Sequence, residues 1–220
     1  MAVYVIFEPT SIRGIYDTWP ECEVKVKGCA GAKFQKVVTR DHAASMLAGE
    51  RKILPPGLYA VLDGNHLGGI GVVLVNQVDA TVQTRQELCT TLAAVFPDGI
   101  PAEDGSTFST AEALASIRNV AAELGAAAFA LRHIPYGQAV TLVHDYEGVG
   151  AWLCGHWRAK DPIVKALVNA IRRAISLSSL TVTFRHQRGH QVDRMGLDPL
   201  VLANQQADAL ATRASQTTAA

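Results

Sequence analysis

Two periodicities alternate along the chain. Short runs place an apolar or β-branched residue at nearly every second position, and longer ones bring apolar residues back every three or four, so strands and helices are expected to interleave. Val3–Phe7 and Gly14–Thr18 read as strands. Thr18-Trp-Pro-Glu21 has the spacing of a helix capping box, with proline tolerated in the first turn, and Gly28 is the expected stop. Lys33–Thr39 reads as a third strand and Thr39–Gly49 as a short helix closing on glycine. Gly49-Glu-Arg-Lys-Ile-Leu-Pro-Pro-Gly57 then interrupts both patterns, because two prolines and flanking glycines end whatever precedes them. Beyond it, Leu58–Leu62 and Ile70–Val75 are strand-like, joined by Asp63-Gly-Asn-His-Leu-Gly-Gly69. Residues 109–131 look helical, with apolar positions at Ile117, Val120, Leu124, Ala127, Ala128 and Leu131. A strand at Ala139–Val143, helices at about 147–157 and 162–176, a strand at Leu180–Phe184 and a helix at Pro199–Ala214 complete the pattern.

The organisation expected is a small α/β domain of three strands and two helices over 1–48 and a tether over 49–57. A larger α/β domain over 58–214, with a mixed sheet covered by helices, and a frayed tail over 215–220 would follow. At 49% hydrophobic and 18% charged residues the 220-residue chain has enough apolar surface to fold, which excludes intrinsic disorder. No apolar run reaches the roughly 18 residues of a membrane span, and the start has no basic segment followed by a hydrophobic one. A soluble, cytoplasmic protein without membrane contact is therefore expected. The four cysteines form no C-x-x-C pair and read as reduced thiols.

Charge changes this picture only locally. Lys plus Arg equals Asp plus Glu at 20 each, so no overall cationic field is available to hold an anionic partner. Yet residues 158–194 hold eight Lys/Arg against Asp161 and Asp193, while 79–147 hold nine acids against three Arg. One stretch suits an anion and the other suits cations. Within the acidic half and its flanks, four carboxylates fall at telling places. Asp63 ends the first strand of the larger domain, and Asp145 ends the strand after His144. Glu123 borders the buried face of its helix, and Asp208 borders that of the last helix. Carboxylates packed together repel one another until a cation neutralises them. Mg²⁺ prefers oxygen ligands, and two such ions about 3.5–4 Å apart activate a water and stabilise the leaving oxygen of a phosphodiester. By contrast, Glu112 has the spacing of a helix cap after Ser109, and Asp198-Pro199 that of an N-cap pair. His186 and His190 stand four apart with no third soft ligand nearby, so zinc is not expected.

The order Asp63, Glu123, Asp145, Asp208 on strand, helix, strand and helix resembles the ribonuclease H catalytic domain. So do the local sequences: DG…GGIGVVLV, NVAAELGAAAFAL, VTLVHDYEGVGAW and NQQADALA. The stretch VYVIF…RGIYDTWPECEVKVKGCAGAKFQKVVTRDHA resembles the hybrid-binding domain at the N-terminus of many type 1 ribonucleases H and in caulimovirus viroplasmin. The two resemblances together imply a ribonuclease H-like mixed five-stranded sheet flanked by helices, preceded by a three-stranded hybrid-binding domain.

They also imply an endoribonuclease that cleaves the RNA strand of RNA–DNA hybrids with two Mg²⁺ ions, for which Mn²⁺ can substitute, leaving 5′-phosphate and 3′-hydroxyl ends. Asp63, Glu123, Asp145 and Asp208 would be its metal ligands, and His190 in RHQRGH would assist product release or proton movement. Trp19 and Phe34 would pack on the sugar–phosphate of the DNA strand beside Lys33, Gln35 and Lys36. The partner would be the hybrid duplex, met by a monomer acting on nucleoid-associated substrates.

This chain departs from the family in four places. Gln35 stands where a second lysine is usual, and Asn65 where a serine usually follows Asp-Gly. About sixty residues separate Asp63 from Glu123, so 79–108 is expected to carry an insertion with a helix at Gln86–Val95. There is little room for a long basic protrusion before His190, a role that Arg158, Lys160, Arg172 and Arg173 would fill. Asn65 and the insertion leave open a catalytically decayed protein that only binds hybrid or double-stranded RNA.

Overall fold

The computed structural model describes residues 2–49, 53–79, 81–189 and 198–217. The chain separates into two compact units, Met1–Ile53 and a larger one beginning at Leu54.

In the first unit β1 (Val3–Glu8), β2 (Gly14–Tyr16) and β3 (Lys33–Val37) form an antiparallel sheet in the order β2-β1-β3. Two helices complete it, α1 (Trp19–Val26) and α2 (Arg40–Ala48). The capping box closes as the sequence implies: Thr18 Oγ1 accepts from the Glu21 amide at 3.4 Å and Glu21 Oε2 from the Thr18 amide at 3.2 Å. Thr39 caps α2, which ends on Gly49 in the left-handed region. Side chains alternate across a strand. Val3, Val5, Phe7 and Val37 accordingly gather on one face with Ala43 and Met46 of α2, leaving Tyr4, Phe34 and Lys36 on the other.

The larger unit opens with a meander, β4 (Gly57–Gly64), β5 (Gly69–Val78) and β6 (Thr81–Thr91). Then come α3 (Leu92–Val95), a two-residue hairpin β7 (Ile100–Pro101) and β8 (Thr107–Phe108), α4 (Thr110–Ile117) and α5 (Asn119–Leu131). β9 (Ala139–His144), α6 (Glu147–Leu153), α7 (Pro162–Leu177), β10 (Thr181–His186) and α8 (Pro199–Thr217) follow. The sheet order is β10-β9-β4-β5-β6. The meander is antiparallel, whereas β9 and β10 run parallel to β4. This mixed five-stranded sheet between helices is the ribonuclease H-like arrangement expected. Ala60, Leu62, Ile70, Val72 and Leu74 face α5 and α7, and Tyr59, Val61, Val73 and Val75 face α8. Each fully buried aliphatic side chain of these two layers stabilises the fold by about 1.5–3 kcal/mol.

Three expectations need correction. Gln86–Val95 is not a helix: Thr81–Thr91 is the third strand of the sheet, paired along β5, and only Leu92–Val95 turns helical. Leu88 packs into the α5 layer and its neighbour Cys89 into the α8 layer, the two-residue alternation of a strand. Residues 79–108 thus hold β6, α3 and the β7–β8 hairpin. The helix expected over 109–131 is two helices, because Arg118 adopts φ 50° and ψ −128° between α4 and α5. α8 runs on to Thr217 with Ser215 buried, so the chain does not fray at 215. Residues 218–220 lie outside the described ones. The four cysteines are free thiols, and no described helix is long and apolar enough to cross a membrane.

Candidate active site

Asp63 is the penultimate residue of β4, and Asp145 follows directly on β9, its parallel neighbour in the sheet. Glu123 joins them from α5. That approach depends on Gly64, where a Cβ would stand 2.3 Å from the Ala122 carbonyl carbon and 2.5 Å from the Glu123 nitrogen. Only a residue without a side chain lets the helix backbone run so close to the strand end. Carboxylate oxygens of Asp63, Glu123 and Asp145 lie within 4.8 Å of one another. Asp208 stands outside this group on an exposed turn of α8, near enough for its charge to act on Asp63. The structure thus brings three of the four expected acids together and sets the fourth beside them. Glu112 lies in the first turn of α4, where its backbone amide donates to Ser109 Oγ of the cap. His190 lies outside the described residues. Its predecessor Gly189 packs against Asp145, where a Cβ would meet Oδ2 at 2.4 Å.

The electrostatics follow from this crowding. Asp63 is pushed up from 3.8 to about 7, first by burial and then by the charges of Asp145 and Asp208. Burial, followed by Asp145 and Asp63, holds Glu123 well above the usual carboxylate range, although the Gly64 amide donates to it. Glu123 Oε2 is buried without a hydrogen-bond partner. Such an oxygen is costly unless a cation or a proton meets it. An all-oxygen, mutually repelling set with an orphaned atom is the chemistry that a hard divalent cation satisfies, so these residues fit Mg²⁺ or Mn²⁺.

Two histidines outside the expected site brace the backbone on either side of Asp145. His144 is 2% exposed, and its Nδ1 donates to the Tyr146 carbonyl at 2.9 Å. His186 donates from Nε2 to the Asp145 carbonyl at 2.9 Å, and the two rings stack with centroids 5.9 Å apart. Burial lowers His144 to about 4, so this prop stays neutral at ordinary pH.

Two further surfaces carry other expected residues, though neither Lys160 nor Arg173 lines them. On the first unit, Trp19 lies between Tyr4 (ring centroids 5.3 Å apart) and Phe34 (5.4 Å) with the rings tilted by 51° and 40°, and Lys36 lies 5.9 Å over the Tyr4 ring. Tyr4 was missed. Its signal is that it is the one aromatic at a non-core position of β1, register partner of Lys36. Lys33 is ion-paired to Glu8 at 2.8 Å. Gln35, partner of Val5, falls on the α2 side of the strand, away from the aromatics. On the larger unit a cavity of about 300 Å³ is lined by Trp152, Trp157, Arg158, Lys165 and Arg172.

Residues 2–45 match the family model of the ribonuclease H1 N-terminal domain. No curated protein sequence matches the chain. Among solved structures, the RNase H1 of the halophilic archaeon Halobacterium salinarum NRC-1 is similar at 19% identity and a TM-score of 0.45, covering 73% of this chain and 98% of that one. LC11-RNase H1, solved in complex with an RNA/DNA hybrid, is similar at 17% identity and a TM-score of 0.48, covering 74% and 99%. Residues 2–45 are thus similar to the ribonuclease H1 N-terminal domain, and the unit that follows them carries the mixed five-stranded sheet in the order β10-β9-β4-β5-β6.

Proposed function

We propose that the chain is a ribonuclease H that hydrolyses the RNA strand of RNA–DNA hybrids, with residues 1–48 as the hybrid-binding domain, 49–57 as the tether and 58–214 as the catalytic domain. One observation carries the reading: three carboxylates from different elements converge within 4.8 Å, one oxygen of them buried without a partner. Asp63, Glu123, Asp145 and Asp208 would hold two Mg²⁺ ions, or Mn²⁺ in their place. Bound there, the ions supply an activated water and charge stabilisation for the leaving oxygen, giving 5′-phosphate and 3′-hydroxyl ends.

The chain's own residues do the rest. Gly64 donates its amide to Glu123 and keeps the carboxylate turned toward its neighbours. His186 fixes the backbone of Asp145. His190 assists proton movement or product release. Arg158 and Arg172, beside Trp152 and Trp157, take the part of the missing basic protrusion by gripping backbone phosphate. The aromatics Tyr4, Trp19 and Phe34 hold the DNA strand, with Lys36 on a phosphate. Recognition rests on duplex shape and 2′-hydroxyls and not on base sequence.

The alternative of a decayed binding protein drew on Asn65 and on the long interval before Glu123. Asn65 is hydrogen-bonded through both ends of its side chain, and the interval is occupied by β5, β6, α3, the β7–β8 hairpin and α4. A gel assay on a labelled hybrid, in Mg²⁺, Mn²⁺ or EDTA and beside double-stranded RNA and DNA, tests the proposal. Metal-dependent cuts confined to the RNA strand of the hybrid are expected. Tight hybrid binding with no cleavage in either metal would favour the binding protein.

A further inference from the structure

Asn65 departs from the usual serine, and its side chain explains what the departure does. Oδ1 accepts from the Leu67 and Gly69 amides, both at 3.0 Å, and so closes the turn between β4 and β5. Nδ2 points the other way, donating to the Ala211 carbonyl at 3.0 Å and to Ser215 Oγ at 3.2 Å, both on α8. One side chain, two residues after Asp63, therefore ties the Asp63 turn to the helix that carries Asp208.

The helix needs such a tie. α8 lies directly on β5, where a Cβ at Gly71 would stand 1.9 Å from the Ala207 carbonyl oxygen and one at Gly69 2.0 Å from that of Ala211. Two glycines make this end of the strand smooth beneath Ala207 and Ala211, and the β5 side chains that pack against α8, Val73 and Val75, lie further along, so Asn65 is the side chain that holds α8 at the Asp63 end. Asp208, Ala211 and Ser215 follow one another at helical spacings of three and four, so they share a face. A shift at the tie is passed rigidly to Asp208, which stands just outside the three-carboxylate group.

We propose that Asn65 is a positioning residue that clips α8 to the Asp63 turn, setting how closely Asp208 approaches the carboxylate group and thereby the affinity for the cation that Asp208 shares. This rests on the metal-dependent reading above. The test compares the intact chain with Asn65→Ser, which keeps an acceptor for the turn but is too short to reach α8, and with Ser215→Ala, which removes one of the two clip contacts. Mn²⁺ binding is titrated by electron paramagnetic resonance of the free ion, without substrate, and thermal midpoints are recorded alongside.

One class of Mn²⁺ sites is expected to weaken about tenfold in Asn65→Ser, the scale of lost support behind a metal ligand, and less in Ser215→Ala. The Mg²⁺ concentration for half-maximal cleavage should rise in parallel, with the rate restored at saturating Mg²⁺. Unchanged Mn²⁺ binding in both variants, with the intact chain binding normally, overturns the clip alone. If Asn65→Ser does not fold, Ser215→Ala decides. An intact chain that binds no Mn²⁺ overturns the metal-dependent reading itself, and the clip with it.

Discussion

The aromatic cluster of the first unit and the carboxylate cluster of the second are built on opposite principles. Trp19 is 36% exposed and Lys36 stands in water, so the first site offers groups already comfortable in solvent to a partner that arrives later. Asp63 and Glu123 are 7% and 3% exposed and repel each other, so the second site is strained until something positive enters. A surface of the first kind can be lost piecemeal, each side chain taking its share of affinity. A cluster of the second kind is expected to fail as a whole, because its members repel one another until they are neutralised together.

The sharpest test of that contrast is Asp145→Asn. With one ligand neutralised, cleavage of the hybrid is expected to fall at least about 10³-fold, since metal stabilisation of the transition state is worth several kcal/mol. Hybrid affinity, measured by fluorescence anisotropy on the intact chain, should stay within about twofold. An Asp145→Asn enzyme of normal rate would remove Asp145 from the site.

The second test sees the strain directly. A carboxyl raised from 3.8 to about 7 favours the folded state fully below pH 3.8, and that contribution is lost as pH rises through about 7. At roughly 1.4 kcal/mol per unit, ionised Asp63 costs the metal-free fold about 4 kcal/mol at pH 8. Asp63→Asn in EDTA should therefore melt above the unaltered chain at pH 8, with the advantage vanishing near pH 4. If the two chains melt together at pH 8, the cluster is not strained as described.

The same contrast explains what could be read from the residues alone. Asp63, Glu123 and Asp145 were legible because strand ends and helix borders are local features, and their order survives in one dimension. What brings Glu123 into place was not legible, since nothing in Asp63-Gly-Asn reveals that Gly64 lies beneath a helix backbone some sixty residues later. β6 was misread for a definable reason. Leu88, Leu92 and Val95 stand at i, i+4 and i+7, the helical spacing, while Thr81–Thr91 is held as a strand by pairing with β5, the strand just before it, a contact that the spacing of its own residues does not announce. Arg118 carries no signal for the break between α4 and α5, because arginine is a good helix former and its positive φ is imposed from outside. In the first unit, by contrast, cap, strand and stop residues are all local, and the capping box at Thr18 was readable to the atom.

On the aromatic side, Trp19→Ala with Lys36→Ala should weaken hybrid binding by the intact chain roughly 10–100-fold. Aromatic contacts with a nucleic-acid strand are worth about 1–3 kcal/mol by alanine substitution. The rate at saturating hybrid should hold, which is the reverse of the Asp145→Asn result. A double variant with unaltered affinity and unaltered cutting pattern would take the first unit out of substrate binding.

The smallest effect separates two lysines of one strand. Lys36 stands over the Tyr4 ring with no acid paired to it among the described residues, whereas Lys33 spends its charge on Glu8 at 2.8 Å. A lysine on phosphate contributes about one unit to the slope of log affinity against log salt. Lys36→Ala should remove most of a unit, and Lys33→Ala clearly less, because Lys33 must first leave a partner that is already there. Exposed pairs of this kind hold by only about 0–1 kcal/mol, so the deficit is modest and reversible. Glu8→Gln should then release Lys33 and steepen the salt dependence above that of the unaltered chain. Equal slopes for Lys33→Ala and Lys36→Ala would mean that the ion pair opens without cost when the duplex arrives, and that the first unit presents both cations alike.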